Sequence, residues 1–394
     1  MNDRQNKTES IYITGLGCVS ALGVGIEAIA EPFWSSDNLL EDKESARNKG
    51  LPQCCVPEFD VSDFIPTKRP YLDPNSRFAL VAGGMALHAS GPGEEIINPA
   101  RSGVATGTVL GNINSQEKFQ YGIMEKGVRL ASPMLFPHCY PNTSNSLLSI
   151  EFGLRGYNQN ICGNRVSGAK AVQLGAQAIH SGHADLMLVG GSDALSETVL
   201  NAWEQGDNNR TIPPGEGAAF LVLENEFSLE RRSSSPACRL ASILSCGTGV
   251  LPEESGIDVE RKITRTVKDT IEQALEQASL WEGDLGAVFT TLSLDEDRVV
   301  SRALSDALAS SSQVPKFPPS RRIGDTLAAA FGMGSILAAL IVNEEKLPSP
   351  PQLEDVQNGV ELWVEEMPSG MLGKAVAVVD CSEHNVVVAI LSAS

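Results

Sequence analysis

Nucleophilic or acid–base chemistry in this chain has to come from its eight cysteines, its five histidines and the charged groups beside them. The cysteines are Cys18, Cys54, Cys55, Cys139, Cys162, Cys238, Cys246 and Cys381. They form no C-x-x-C pair and no regular framework, which reads as reduced thiols in a cytosolic protein. His138 and Cys139 stand together in FPHCYPN, but adjacent residues send their side chains apart, so packing explains them better than a Cys–His couple. Cys162 lies three residues before Arg165. It is read either as a displaced nucleophile or as a buried strand thiol, and no histidine is placed nearby as its base. His180 and His183 in HSGH give two ligands at a helix end, fewer than a metal site needs. The GLG at 15–17 and the GTG at 247–249 lack G-K-S/T and do not open a helix as G-x-G-x-x-G, so neither cradles a phosphate. No metal and no cofactor are expected.

These residues sit in an alternating frame. Ile11–Thr14 is β-branched and aromatic, followed by glycine, and predicts a buried strand. Residues 77–90 predict a helix with small residues for close packing. Residues 103–107, 184–191 and 216–224 are apolar runs that predict strands covered on both faces. Residues 166–181 predict a helix packed on all sides. Residues 35–75 predict a surface excursion, and the charged, serine-rich stretch 225–237 a domain junction. After it the pattern restarts: strands at 239–244, 285–292, 375–380 and 386–392, and helices at 264–280, 297–309 and 324–343. In the first of these helices Val267, Ile271, Ala274, Leu275 and Ala278 share one face. Strand–helix alternation implies parallel α/β sheets. The expected halves are 1–237 and 238–394, similar in order, with no residue-level repeat strong enough to prove duplication.

The chain has 394 residues, and 30 Lys+Arg against 49 Asp+Glu leave a net charge of −19. That charge repels nucleic acid and anionic lipid, so neither is expected as a partner. The start MNDRQNKTES is polar, and no apolar run approaches the ~20 residues that span a bilayer. A cytoplasmic location is expected.

Seven segments in order, IYITGLGCVSALG (11–23), RSGVATG (101–107), SPMLFP (132–137), IEFGLRG (150–156), SGAKA (167–171), ADLMLVGGSDA (184–194) and EGAAFLVLE (216–224), resemble the β-ketoacyl synthases of fatty-acid and polyketide assembly. The resemblance covers most of residues 10–225 and is weaker but traceable to the C-terminus. It implies a thiolase-like fold: an α/β, five-layer αβαβα sandwich of two similar halves that works as a dimer.

The family's chemistry uses a cysteine at a strand-to-helix turn, two histidines, a lysine that holds the second histidine, and backbone amides from a glycine-rich loop. Carried onto this sequence, the cysteine position holds Arg165, which cannot be acylated. The first histidine position holds Thr290 or Thr291. The lysine and second histidine positions hold Ser320 and Asp325, and the glycine loop is DCSEHN, Asp380 to Asn385. The resemblance therefore points to a catalytically silent relative of chain-length-factor type. Such a subunit pairs as a heterodimer with an active ketosynthase, whose cysteine carries the acyl thioester chain supplied by an acyl-carrier protein. This chain departs from known silent relatives, which often carry Gln where it has Arg165. The alternative is an acyltransferase or malonyl-carrier decarboxylase with unconventional residues, such as Asp325 or His138.

Arg165 would stand at the positive end of a helix, unfavourable for a cation. A guanidinium facing Asp325, with Asp380 or Glu383 contributing, would neutralise it; turning outward to solvent or to an acidic carrier is the competing outcome. By the same resemblance, Leu110 and Leu135 line an acyl tunnel, and His138 and Asn142 belong to the dimer interface. Ordinary core packing is the competing role for the leucines. The arginine doublets Arg231–Arg232 and Arg321–Arg322 could receive an acidic carrier or simply be solvated.

Overall fold

The computed structural model of the chain describes residues 10–34, 54–67, 69, 71–91, 98–205, 212–231, 239–252, 257–291, 314, 316–344, 374–382 and 384–394. Its strands are β1 (Ile11–Ser20), β2 (Gly23–Val24), β3 (Ser102–Thr108), β4 (Asn158–Cys162), β5 (Leu186–Asp193), β6 (Gly217–Asn225), β7 (Ala241–Val250), β8 (Leu285–Thr290), β9 (Lys316–Phe317), β10 (Ala375–Cys381) and β11 (Asn385–Ser392). β2 is a short arm folded back on β1.

The strand path runs β4-β3-β5-β6-β1 and continues β7-β11-β10-β8-β9. Numbered within its own half, each stretch reads 3-2-4-5-1 when followed from its outer edge inward. Directions match too. The second strand of each half runs parallel to the third and fourth, and the fifth is antiparallel to both the fourth and the first. The two halves meet where Ile11–Ile13 of β1 pairs antiparallel with Ala241–Ile243 of β7. With β2 left aside, the two stretches share one strand order.

The parallel sheets implied by strand–helix alternation are only partly present, because the sheet is mixed. β10 and β11 are joined by the short link at 382–384, which can only return antiparallel; a parallel step needs a long crossover. β5 and β6 are buried along their whole lengths.

Helices complete the layers. Pro74–Ala89 covers the outer face of β1, β5 and β6, and Ile257–Gln277 covers β7 and β11. Between the halves lie two central helices, Ser167–His180 and Ala330–Glu344, each touching strands of both. Three apolar clusters fill the spaces between layers: one around the central helices with Ile13, Phe289, Phe331 and Ile336, and one beneath each outer helix. The segment Leu327–Glu344 is long and apolar enough to cross a membrane by length and composition, and most of it is buried within this core.

The turn Leu327–Ala329 before the second central helix packs closely on the first helix and on β5 because glycine permits it. A Cβ on Gly168 would fall 1.9 Å from the Ala328 carbonyl oxygen, and one on Gly191 would fall 2.0 Å from the same oxygen. The excursion expected at 35–75 is not wholly superficial. Cys54, Val61 and Ile65 are buried, and Ile65 packs on the Pro74–Ala89 helix opposite Gly84. The helix expected at 297–309 lies outside the described residues, as does the second part of the junction at 225–237; the first part holds the short helix Glu226–Glu230.

Candidate functional site

The turn Gly163–Val166 links edge strand β4 to the central helix Ser167–His180. Asn164 shapes it: its carbonyl accepts the Ser167 hydroxyl (2.6 Å) and amide (2.9 Å). Arg165 projects from this turn, at the helix end where the macrodipole opposes a cation. Its guanidinium forms an ion pair with Asp325, and its Nη2 lies 3.5 Å from the Thr291 carbonyl. The expected Arg165–Asp325 pair is therefore present.

Asp325 is well placed to neutralise the arginine. It precedes the turn Leu327–Ala329 that leads into the second central helix, and its Oδ1 accepts the Leu327 amide at 3.1 Å. A carboxylate suits that positive helix end. Its own backbone is braced, with the amide donating to Pro213 O (2.9 Å) and the carbonyl accepting from Gly215 N (2.7 Å).

Asp380, at the end of β10, joins the cluster through a hydrogen bond from the Thr291 hydroxyl. Burial pushes the Asp380 carboxyl up to about 6, against the opposing pull of the Thr291 bond and of Arg165. Its second oxygen, Oδ2, has no hydrogen-bond partner. Glu383 lies outside the described residues. The DCSEHN loop closes the site from the other side. Asn164 Nδ2 donates to Ser382 Oγ (3.0 Å), and Lys170 Nζ to Asn385 Oδ1 (2.9 Å).

Of the sequence-predicted positions, the structure gathers Arg165, Thr291, Asp325 and Asp380. Thr290 is buried in the sheet opposite Val379, and Ser320 is buried at the start of the short helix Ser320–Ile323. Leu110 and Leu135 are half-buried, and Asn142 is exposed. The His138 carbonyl accepts Asn112 Nδ2 at 3.0 Å. Arg231 lies over the Phe227 ring and Arg322 over Phe33; the side chains of Arg232 and Arg321 are outside the described residues.

Cys162 is not the buried strand thiol that was one of its two readings. It ends the edge strand β4 and is exposed, because no further strand among the described residues covers that edge. Partial burial, with Asp193 contributing, holds its thiol above the usual range, the reverse of an activated nucleophile. Cys139 is likewise raised, by burial and then Asp73, and its thiol donates to the Leu135 and Ser115 carbonyls. No group of three or more His, Cys, Asp or Glu that could hold a metal occurs among the described residues.

Asp193 was missed by sequence reasoning. It ends β5, fully buried, and accepts from Thr108 Oγ1, Val109 N, Leu110 N and Ala328 N. In GGSDA nothing but a carboxylate at a strand end announces it.

The family model "Beta-ketoacyl synthase, N-terminal domain" matches residues 8–226. The chain is 25% identical over 401 residues to "3-oxoacyl-(acyl-carrier-protein) synthase 2" of Rhizobium meliloti (strain 1021), covering 91% of each chain. It is 24% identical over 366 residues to "3-oxoacyl-(acyl-carrier-protein) synthase I, chloroplastic" of Arabidopsis thaliana, covering 84% of this chain and 75% of the relative. Among solved structures it superposes on "The ishigamide ketosynthase/chain length factor" with a TM-score of 0.80 at 19% identity, covering 98% of this chain and all of that one. A type II ketosynthase complex described as an acyl-carrier protein "in complex with its ketosynthase bound to the hexaketide" gives a TM-score of 0.74 at 18% identity, with 98% of this chain covered. These likenesses carry the fold.

Proposed function

Because the chain belongs to the β-ketoacyl synthase family, we propose that it is a non-catalytic, chain-length-factor type subunit that pairs with an active ketosynthase in polyketide, polyene or fatty-acid-like assembly. The observation that carries this reading is the Arg165–Asp325 ion pair. It stands where, by the resemblance, active relatives keep a thiol and a histidine. A guanidinium stays protonated throughout the physiological range and cannot accept an acyl group. A carboxylate tied to it and to a backbone amide is a poor substitute for a neutral imidazole that must stabilise a developing enolate.

The surface supports a partnered state. Tyr121, Met124, Val128, Leu130, Met134, Phe136 and Tyr140 are all exposed, with Met124 at 78% and Val128 at 76%. They belong to one helix, Ile113–Lys126, and the segment after it. β4 is an edge strand whose Asn158, Gln159 and Cys162 are open. An apolar face of this kind marks a docking surface, and an open edge adds unpaired backbone groups. In this reading the partner's cysteine carries the acyl thioester delivered by an acyl-carrier protein, and Leu110 and Leu135 limit how far it extends. The complex works in the cytoplasm.

The names of the relatives favour a second reading, that of a 3-oxoacyl-carrier synthase using other residues; a malonyl-carrier decarboxylase is its variant. Incubating the purified chain with malonyl- and acyl-carrier thioesters separates the two. We expect no acyl adduct by intact mass and no carbon dioxide from the chain alone. With an active ketosynthase from the same genome, we expect turnover and a product length different from that enzyme's own. Acylation or decarboxylation by the isolated chain overturns the silent-subunit reading.

A further inference from the structure

We infer that Asp193 is a positioning residue that fixes the Leu110 loop to the Arg165–Asp325 centre, so that the two behave as one rigid unit; the inference rests on the length-setting role proposed above. Asp193 belongs to none of the positions compared with the family's catalytic set, and its side chain reaches elements of both halves. Its Oδ1 accepts Thr108 Oγ1 at 2.8 Å and Leu110 N at 2.8 Å, and the Val109 amide lies 3.0 Å from each carboxylate oxygen. Its Oδ2 accepts Ala328 N at 3.1 Å. The amide just before, Leu327 N, is taken by Asp325, the partner of Arg165. Two carboxylates therefore hold successive amides of one turn. A continuous path runs from Arg165 through Asp325, the 327–328 peptide and Asp193 to Val109 and Leu110. Thr108 Oγ1 also accepts Gly111 N at 2.9 Å, so three consecutive amides of the Leu110 loop are pinned.

The chemistry requires a carboxylate. All four partners donate, and an acceptor-only group with two oxygens can satisfy them without water. An asparagine in the same shape has one acceptor oxygen and turns an NH2 group toward donors, leaving buried amides unpaired. A wall of the substrate space discriminates one extension unit from the next only if it does not yield, since discrimination by apolar contact is limited to roughly 10–200-fold per methylene. Anchoring the Leu110 backbone through a buried carboxylate supplies that stiffness.

The test compares Asp193→Asn with Leu110→Ala, each in complex with the active ketosynthase, using malonyl-carrier substrate. Amide hydrogen exchange at Val109, Leu110 and Ala328 is followed in the chain alone. For Asp193→Asn we expect these amides, from two halves of the molecule, to exchange faster together. We also expect the fraction of products one extension unit longer to rise about tenfold, a redistribution that general destabilisation does not produce. If Leu110→Ala lengthens products and Asp193→Asn does not, the coupling is wrong while the length-setting role survives. If Leu110→Ala leaves product length unchanged, that role fails and this inference with it. Should Asp193→Asn not fold, Thr108→Val removes one donor to Asp193 and frees Gly111 N. It must give the same shift in smaller measure, and unchanged lengths there overturn the coupling.

Discussion

At the scale of single residues, Arg165 and Asp325 depend on each other. Removing one partner of a buried pair strands the other charge, which costs about 3–5 kcal/mol, whereas replacing both with apolar groups of similar volume is often neutral or better. Arg165→Met alone is therefore expected to lower stability by about 3 kcal/mol, since the arginine keeps some solvent contact. Arg165→Met with Asp325→Leu should recover most of that loss. Denaturant melts of the single and double variants check it, and a double variant no more stable than the single one would show that the pair is not what stabilises the turn. Asp380 gives a pH signature. Burial pushes its carboxyl up to about 6 in the folded state, above the 3.8 of a free aspartate. Between about pH 4 and pH 6 the folded state keeps a proton that the unfolded state gives up, so rising pH lowers stability there, and the penalty is constant above. Asp380→Asn keeps an acceptor for Thr291 and removes this titration. It should raise stability at pH 8 by on the order of 2 kcal/mol and flatten the slope between pH 4 and pH 6, measured by thermal melts across that range. A slope unchanged by the substitution would assign it to other carboxyls, such as Asp193.

At the scale of elements, legibility followed the physics of burial. β5 and β6 were visible as unbroken apolar runs, because strands covered on both faces need no alternation. The helix Ile257–Gln277 was visible because Val267, Ile271, Ala274 and Leu275 recur on one face, and all four are buried. Strand direction was not visible, since an apolar run reads the same either way; the antiparallel β6 and β11 follow from connections, not composition. The site was legible only through register. SGAKA fixed where a nucleophile would stand and so exposed Arg165, and the same frame brought Asp325 opposite it. Asp193 had no such handle, because its meaning lies in backbone amides from residues 109, 110 and 328, and amides leave no mark in a sequence.

At the scale of the whole molecule, the exposed segment 121–140 and the open strand β4 make isolation uncomfortable. A chain with net charge −19 repels copies of itself at long range, yet a face holding Leu130, Met134 and Phe136 gains from being covered. Without its partner the chain should self-associate as salt screens that repulsion. Phe136, which meets the Phe119 ring at a tilt and the Tyr140 ring edge-on, is the substitution of choice. Phe136→Glu should give a concentration-independent monomer in sedimentation at 0.5 M salt and should abolish binding to the ketosynthase. A wild-type chain that stays monomeric under the same conditions would remove this face as an interface.

The seam between the halves has a further consequence. Ile243 of β7 pairs with Ile11 on one side and with Leu391 on the other, so the first and last strands flank a single residue, two strand spacings or about 10 Å apart. A linker of a few glycines bridges that gap. The polypeptide can then be rewired, with the end of β11 joined to the start of β1 and new ends opened at the exposed turn Ser181–His183, without breaking a rung of the sheet. The order in which the two halves emerge during synthesis would be shuffled while the finished architecture stays the same.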